Sequence, residues 1–393
     1  MIRIKSYKAG KGDAFLVSFG EEKEYNIMID MGTASIYNEI KPDLELLASN
    51  GKKLDLLVIT HMHDDHIGGA IKFIKDNGSD KKIIEVDEVW HNSYRHLNFD
   101  EKDKSDIVED KTIRVLKKYI ERQEANIISD DAIEKISVGQ GSTLSKMLND
   151  FNYNWNSSFN NKAVILDSNK PKKIGDDIKI TLISPSDFKL DKLSSDWLDW
   201  LKKKRIKATA DKKEFEYAFE FLMRQEGEST SYIQKVSANT KIDFEKLSLY
   251  GEDTNDLTAP NGTSIAFILE YKGKRLLFLG DAHEDIIYKN LNELKMNGVC
   301  LDFDLVKLSH HGSIENISNR LLSLMKSKKY LISTSGKGYE HPSLITLAKV
   351  IMNHKEIRKE IIFNYPLSII EELKPYMKDY NYEVKCLEEI VIC

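Results

Sequence analysis

Short apolar runs recur along the chain, and each stops abruptly at a polar or charged residue. Clear examples span residues 27–29, 56–59, 265–269 and 276–279, and residues 305–308 are apolar except at one position. Runs of this length, bounded by polar turns, are typical of buried strands. Between them, apolar residues at helical spacing, as in residues 36–47, predict amphipathic helices. The pattern therefore predicts an α/β protein in which helices cover a sheet.

The residues at the ends of these strands carry candidate chemistry. The strand ends lie at Asp30, His61, Asp281, His310 and His341. In an α/β sheet, ligands bind at the carboxyl ends of the strands. Most of the ten histidines lie in such segments: His61, His63, His66, His283, His310, His311 and His341. Histidines that only fill a core would not be concentrated in this way.

The densest cluster follows the run at 56–59 and has the pattern His-x-His-x-Asp-His. Its members are His61, His63, Asp65 and His66. Side chains two residues apart in an extended segment point to the same side, whereas the last two members lie where a helix begins. Imidazole suits zinc, iron, nickel and copper, and an added carboxylate extends the choice to manganese. This spacing predicts a site for two metal ions.

Composition limits the alternatives. The chain has 393 residues, of which 41% are hydrophobic and 31% charged, enough for one large or two ordinary domains. The net charge of −5 provides no overall basic field for nucleic acid. A local basic run, residues 202–205, follows Trp197 and Trp200. It predicts either a contact with a phosphate backbone or a solvated helix face.

The cysteines and the lengths of the apolar segments allow a prediction of the cellular compartment. Cys300, Cys386 and Cys393 are few, odd in number and far apart, which is not the pattern of a disulfide framework. The N-terminus lacks the apolar core of a signal peptide, and no apolar run approaches the length of a membrane span. We therefore expect a reducing cytoplasmic location and no membrane association.

The His-x-His-x-Asp-His pattern resembles the signature of the metallo-β-lactamase superfamily. Asn-x-x-Ser at 261–264, Leu-Gly-Asp-Ala at 279–282 and His-His-Gly-Ser at 310–313 narrow the resemblance. They are similar to the hydrolase domain of bacterial competence DNA-uptake channels and its soluble relatives. The resemblance implies one four-layer αββα sandwich over residues 1–393. We expect residues 1–185 and 257–370 to build its two halves, with an inserted segment, 186–256, near the active-site edge.

The resemblance also implies the ligands of two divalent ions, zinc or manganese. The superfamily's third histidine is missing, so the first ion would be held by His61, His63, Asp281 and either Asn261 or water. The second would be held by Asp65, His66, Asp281 and one of the pair His310 and His311, with His310 preferred because it leaves the strand first. The resemblance places Asp30 beneath the site, whereas residue type alone would favour a turn role for both Asp30 and Asp13. Further predicted contacts with metal or substrate are His91, His283, Ser313, Lys202 and Arg205.

The implied function is metal-dependent hydrolysis, with the ions lowering the pKa of a water molecule. Asp65 would hold metal and nucleophile, and His341 and His311 would contact the phosphate or the leaving oxygen. A phosphodiester in nucleic acid or a nucleotide is the favoured substrate. Alternatives are a small ester, lactone or thioester hydrolase, and a metal-binding effector module with partner proteins in a bacterial, phage-defence type system. An open basic cleft would favour nucleic acid, and a closed pocket a small molecule.

Overall fold

The structure is a computed structural model that describes residues 1–22, 24–97, 116, 118, 143–166, 170–205, 213–224, 241–337 and 341–393. Residues 98–142, which are highly charged and have apolar residues at helical spacing, lie outside this range apart from residues 116 and 118. The strands are Ile2–Ser6 (β1), Ala14–Phe19 (β2), Tyr25–Met31 (β3), Leu56–Ile59 (β4), Val89–His91 (β5), Lys172–Ile174 (β6), Ile178–Ser184 (β7), Ala266–Tyr271 (β8), Lys274–Phe278 (β9), Asp302–Phe303 (β10), Leu305–Lys307 (β11), Lys326–Ser327 (β12), Lys329–Ile332 (β13), Lys359–Phe363 (β14), Tyr382–Cys386 (β15) and Glu389–Ile392 (β16).

The helices lie mainly outside the sheets. They are Tyr37–Ser49 (α1), Asp64–Asn77 (α2), Leu144–Asp150 (α3), Asp187–Lys203 (α4), Lys213–Met223 (α5), Phe244–Leu247 (α6), Ala259–Gly262 (α7), Glu284–Met296 (α8), Asn319–Leu322 (α9), Leu344–Met352 (α10) and Ser368–Leu373 (α11). Short 3₁₀ turns occur at Tyr94–His96, Ser157–Phe159, Ser309–Gly312 and Lys374–Tyr376.

The strands form two main sheets. The first has the order β16-β1-β2-β3-β4-β5, antiparallel from β16 to β3 and parallel from β3 to β5. The second has the order β15-β14-β13-β11-β9-β8-β7-β6, parallel from β15 to β9 and antiparallel beyond. β10 and β12 form a small parallel pair.

This topology corrects the expected division of the chain at residue 185. The hairpin of β6 and β7 precedes the insertion but belongs to the second sheet, because β7 pairs with β8. The C-terminal strand β16 pairs with β1 and extends the first sheet. Ile178, Ile180 and Leu182 on β7 are buried in the apolar layer between the sheets. That apolar face stabilises the hairpin where it lies.

The apolar clusters define four layers, as predicted. One cluster lies between the sheets and joins Phe15 and Val58 of the first to Phe267 and Leu305 of the second. A second packs α1 and α2 on the outside of the first sheet, and a third packs α8 and α10 on the outside of the second. The fold is an αββα metallo-β-lactamase sandwich, in which each sheet buries both faces.

The inserted segment packs close to the loop that follows β4. Trp197 of α4 and Phe219 of α5 are buried in one apolar cluster with Met62, which lies between two histidines of the sequence motif. The Arg224 guanidinium, just after α5, pairs with the Asp64 carboxylate. Along the parts of the chain that the structure describes, no helix is long and apolar enough to cross a membrane.

Two glycines allow the close packing that holds the start of α2. A Cβ atom on Gly69 would lie 2.0 Å from the Met31 carbonyl oxygen, and one on Gly12 would lie 1.7 Å from the Asp65 carbonyl oxygen. Any side chain at either position would push α2 away from β3 or from the β1–β2 loop. The position of Asp65 therefore depends on Gly12, which lies far away in the sequence.

Candidate metal centre

Side chains from three strand ends converge on one carboxylate. Asp281 follows β9, His61 follows β4, and His311 follows β11, while His66 lies in the first turn of α2. The Asp281 Oδ2 atom is 3.4 Å from His66 Nε2, 3.5 Å from His311 Nε2 and 3.9 Å from His61 Nε2. All four side chains are buried. The carboxyl ends of both sheets thus build one centre.

Two further members of the sequence motif lie beside this centre. His63 Nδ1 is 3.1 Å from His61 Nε2. Two nitrogens bound to one zinc ion at about 2.0–2.1 Å lie about 3.0–3.4 Å apart, so this spacing fits a shared ion. The ligand atoms of Asp65, His66 and His311 lie within 4.8 Å of one another, and Asp65 is half-buried. The motif thus contributes His61, His63, Asp65 and His66 to one set of neighbouring ligand atoms.

Asp30 orients His66 from below. Its carboxylate accepts hydrogen bonds from the Thr60 amide (2.7 Å), the Thr60 hydroxyl (2.7 Å) and His66 Nδ1 (2.8 Å). Burial raises the pKa of Asp30, and the His66 imidazole opposes that rise. Because Nδ1 of His66 bonds to Asp30, Nε2 is the ring atom that faces Asp281 and would bind an ion. The residue at the end of β3 thus positions a ligand and is more than a turn residue.

His311 is oriented in a similar way. Its Nδ1 donates to the Ser333 carbonyl oxygen at 2.8 Å and lies 3.5 Å from Asp13 Oδ1. Burial opposes protonation of the ring, but Asp281 and Asp13 raise the pKa of His311 to about 9. Burial opposes ionisation of Asp281 too, yet His311 and His66 hold its pKa well below the usual range. The positive charge on His311 and the negative charge on Asp281 therefore stabilise each other.

Unsatisfied polar atoms show that the centre fits a cation. His66 Nε2, His311 Nε2 and both carboxylate oxygens of Asp281 are buried and have no hydrogen-bond partner among the described residues. Buried polar groups without partners are costly and rare. Imidazole and carboxylate donors at one point are what a divalent ion would satisfy. The residues that would hold ions are His61, His63, Asp65, His66, Asp281 and His311.

The geometry reverses the preference for His310 over His311. Both residues have left-handed backbone angles, with φ values of 47° and 55°. The chain therefore coils after β11 instead of continuing the alternation of a strand, and it is the second histidine that reaches Asp281. His310 Nδ1 instead lies 3.0 Å from Asn316 Oδ1 and 3.2 Å from Asp256 Oδ2.

Asp256 organises the side of the centre that lacks the third histidine. Its Oδ2 accepts from Asn261 Nδ2 at 2.8 Å, and its Oδ1 is 3.6 Å from His283 Nε2. Asn261 Oδ1 is buried without a hydrogen-bond partner in the described structure. His283 also bonds to the Thr258 carbonyl (2.9 Å) and is not part of the ligand cluster. His283 thus belongs to a supporting network around Asp256, and the contact of Asn261 Oδ1 with metal or substrate stays a prediction.

His341 and Ser313 were also predicted to contact the substrate. His341 is buried, with its ring centroid 5.1 Å from that of His310. Ser313 is also buried, and its hydroxyl accepts from the Glu315 amide at 3.3 Å. The Ser313 hydroxyl therefore supports the turn that carries both histidines of the pair.

His91 and the basic run do not join the cluster. The His91 ring stacks on Trp155, with centroids 6.2 Å apart, and burial lowers its pKa to about 3. Lys202 is exposed and pairs with Asp199 at 3.4 Å, and Arg205 lies just past the end of the same helix in a left-handed conformation. The apolar face of α4, not its basic end, packs toward the site. His91 is buried outside the ligand cluster, and neither of its ring nitrogens has a hydrogen-bond partner among the described residues. The basic run is a solvated helix end.

Two supporting residues were missed from the sequence. Lys307 is fully buried in β11, where a charged residue interrupts the apolar run at 305–308. Its ammonium group pairs with the Asp13 carboxylate. The interruption of an otherwise apolar strand was the available signal, since a lysine in such a run must have a buried partner. Asp256 had no comparable signal, because it lies in an irregular polar stretch.

Comparison with known proteins agrees with this geometry. Residues 7–142 match the family model described as the metallo-beta-lactamase superfamily. The "Beta-lactamase-like protein 2 homolog" of Caenorhabditis elegans is 35% identical over 74 residues, which cover 19% of this chain and 24% of that protein. The match thus spans about a quarter of that relative's length.

Two solved structures resemble the chain over nearly its whole length. The metallo-beta-lactamase fold protein YhfI from Bacillus subtilis is 9% identical with a TM-score of 0.38, covering 98% of this chain and 96% of that one. Zn(2+)-bound PqqB from Methylobacterium extorquens is 10% identical with a TM-score of 0.39, covering 100% of both. The family model thus places residues 7–142 in the metallo-β-lactamase superfamily, and these residues include His61, Asp65 and His66 of the ligand cluster.

Proposed function

We propose that the protein is a metal-dependent hydrolase that cleaves phosphodiester bonds in nucleic acid or nucleotides. The observation that carries the proposal is the position of Asp281 Oδ2 between three histidine Nε2 atoms, with Asp65 beside them. Divalent ions bound there would provide Lewis-acid charge and lower the pKa of a water molecule. The mixed nitrogen and oxygen donors suit either zinc or manganese.

The protein's own groups would bind and orient the substrate. Asp65 is half-buried, so its carboxylate can accept a proton or a hydrogen bond at the edge of the cluster. His310 and His341 lie side by side next to His311, and Asp256 and Asn316 fix the His310 ring. We assign these two histidines to contacts with the phosphoryl group. The resemblance to the DNA-uptake hydrolases supports a phosphodiester as the bond that is cleaved.

A substrate panel tests the proposal. Purified protein loaded with Mn²⁺ or Zn²⁺ should hydrolyse at least one of single-stranded DNA, double-stranded DNA, RNA, a cyclic dinucleotide or bis(p-nitrophenyl) phosphate. Asp281→Asn should abolish that turnover. Asp55→Asn is the matched control, since Asp55 is also buried but bonds to the Asn26 amide at the opposite end of β4. Loaded protein without activity on any phosphodiester would contradict the proposal.

The insertion favours a second candidate, a hydrolase of small esters, lactones or thioesters. The apolar faces of α4 and α5, with Trp197 and Phe219, cover the loop around Met62. An apolar cover suits a small organic substrate better than a polyanion. Among the described residues, Lys202 and Arg205, which could bind a polyanion, do not contact the metal-ligand cluster. Turnover of p-nitrophenyl esters, a lactone or a thioester, with none of any phosphodiester, would establish this candidate. Bound metal without any turnover would favour the effector module.

A further inference from the structure

A buried lysine lies under the metal centre. Lys307 is on β11, between β9 and β13 of the second sheet, and is fully buried. An ammonium group in a protein interior is costly unless it is paired and hydrogen-bonded. The Lys307 Nζ atom meets this requirement, because it pairs with the Asp13 carboxylate and donates to the Gly280 carbonyl oxygen at 3.1 Å.

This lysine links the two halves of the centre. Asp13 lies in the loop before β2 of the first sheet. Gly280 follows β9 of the second sheet and directly precedes Asp281. Lys307 Nζ lies 3.9 Å from Asp281 Oδ1, while Oδ2 of the same carboxylate faces the three histidine nitrogens. Asp13 Oδ1 in turn lies 3.5 Å from His311 Nδ1. The ion pair of Lys307 and Asp13 therefore lies next to two of the proposed ligands, Asp281 and His311.

We propose that Lys307 is a positioning residue that turns Asp281 Oδ2 toward the ions, with Asp13 holding its ammonium group in place. The inference rests on the proposed metal centre but not on the identity of the substrate. Lys307 touches neither ions nor substrate and acts through Asp281. Groups that lie behind metal ligands typically change metal affinity by about 10–100-fold.

A simpler role must be separated from this one. Lys307 and Asp13 could compensate only each other, as in any buried ion pair, without affecting Asp281. Either single change, Lys307→Met or Asp13→Asn, would then leave a buried charge without its partner and lower the melting temperature. The double variant K307M/D13N removes both charges and keeps the net charge constant. A fall in its metal affinity therefore cannot come from a changed net charge, and it reports how the ion pair holds the ligands Asp281 and His311.

The experiment measures Mn²⁺ and Zn²⁺ affinity by calorimetric titration of metal-free protein, together with metal content by mass spectrometry. K307M/D13N should melt at a higher temperature than either single variant, and should bind Mn²⁺ about 10–100-fold more weakly than the wild type. Lys359→Met is the matched control. Lys359 is another buried strand lysine, and it donates to the carbonyl oxygens of Ile351 (3.2 Å) and His354 (3.1 Å). Its loss should leave Mn²⁺ affinity unchanged.

Wild-type Mn²⁺ affinity in a folded K307M/D13N protein would overturn the proposal. If that variant does not fold, Lys307→Arg provides the test, since it keeps the charge but not the short ammonium contact. K307R should bind Mn²⁺ more weakly than the wild type, and an unchanged affinity would overturn the proposal. These readouts do not involve turnover, so failure of the phosphodiesterase proposal would leave them intact.

Discussion

Replacement of Asp30 by asparagine tests how His66 is oriented. The carboxylate accepts three hydrogen bonds, two of them at Oδ2 from the Thr60 hydroxyl and His66 Nδ1, and one at Oδ1 from the Thr60 amide. Asparagine offers one oxygen and one NH₂ group. The Thr60 amide is always a hydrogen-bond donor. The asparagine oxygen should therefore face the Thr60 amide, and the NH₂ group should face His66. His66 Nδ1 must then accept, and its proton moves to Nε2.

The magnitude follows from the bonds that are changed. A hydrogen bond to a charged group contributes about 1.5–3 kcal/mol, so losing the charge and inverting one bond should lower the free energy of unfolding by about 2–4 kcal/mol. A protonated Nε2 facing Asp281 cannot bind a metal ion. We expect Mn²⁺ affinity to fall by about 10–100-fold, as found when partners of metal-bound histidines are removed.

Urea unfolding and calorimetric Mn²⁺ titration check both effects. Asp55→Asn is the control, because this buried carboxylate accepts from the Asn26 amide at 2.7 Å and lies at the far end of β4. It should lower stability without lowering Mn²⁺ affinity. If Asp30→Asn loses stability but binds Mn²⁺ as tightly as Asp55→Asn, the reasoning about the His66 tautomer is wrong.

Three further predictions concern individual side chains. Asp65→Ala should lose one of two bound ions and all turnover while its melting curve stays cooperative, and full activity in this variant would contradict the mechanism. His311→Ala should lower metal content, whereas His310→Ala should keep metal and lose turnover; equal metal loss in both would refute the division between them. The pKa of His91 is about 3 in the folded protein, below its unfolded value of 6.5, so its contribution to stability falls as pH drops below 6.5. The loss should be about 2 kcal/mol at pH 5, and urea unfolding of His91→Phe at pH 5 and 7 should show a flatter pH dependence than the wild type.

The sequence was sufficient for the fold class, and several of the residues that it predicts as metal ligands lie close together in the structure. The spacing in His-x-His-x-Asp-His predicts ligands at the end of a strand, and the structure places His61 Nε2 and His66 Nε2 3.9 Å and 3.4 Å from the Asp281 Oδ2 atom. The strand run that ends in Gly-Asp predicted where Asp281 lies. Such features are visible because one local segment contains both the strand and its ligands.

Features that depend on the backbone or on distant partners were not accessible in this way. The choice between His310 and His311 depends on two consecutive left-handed residues, which strand alternation does not predict. The role of Asp13 depends on Lys307, almost 300 positions away in the chain. The basic run at 202–205 could be placed only once the apolar face of α4 was seen to pack on Met62.

The most direct test of the central claim is a crystal structure of protein loaded with Mn²⁺, with anomalous scattering used to locate the ions. Two anomalous peaks per chain are expected, both in contact with Asp281. One should lie beside His61 and His63, and the other beside Asp65, His66 and His311. The account would be contradicted by a single anomalous peak that is not in contact with Asp281. It would also be contradicted if manganese occupied a site elsewhere in the protein and none bound within this cluster.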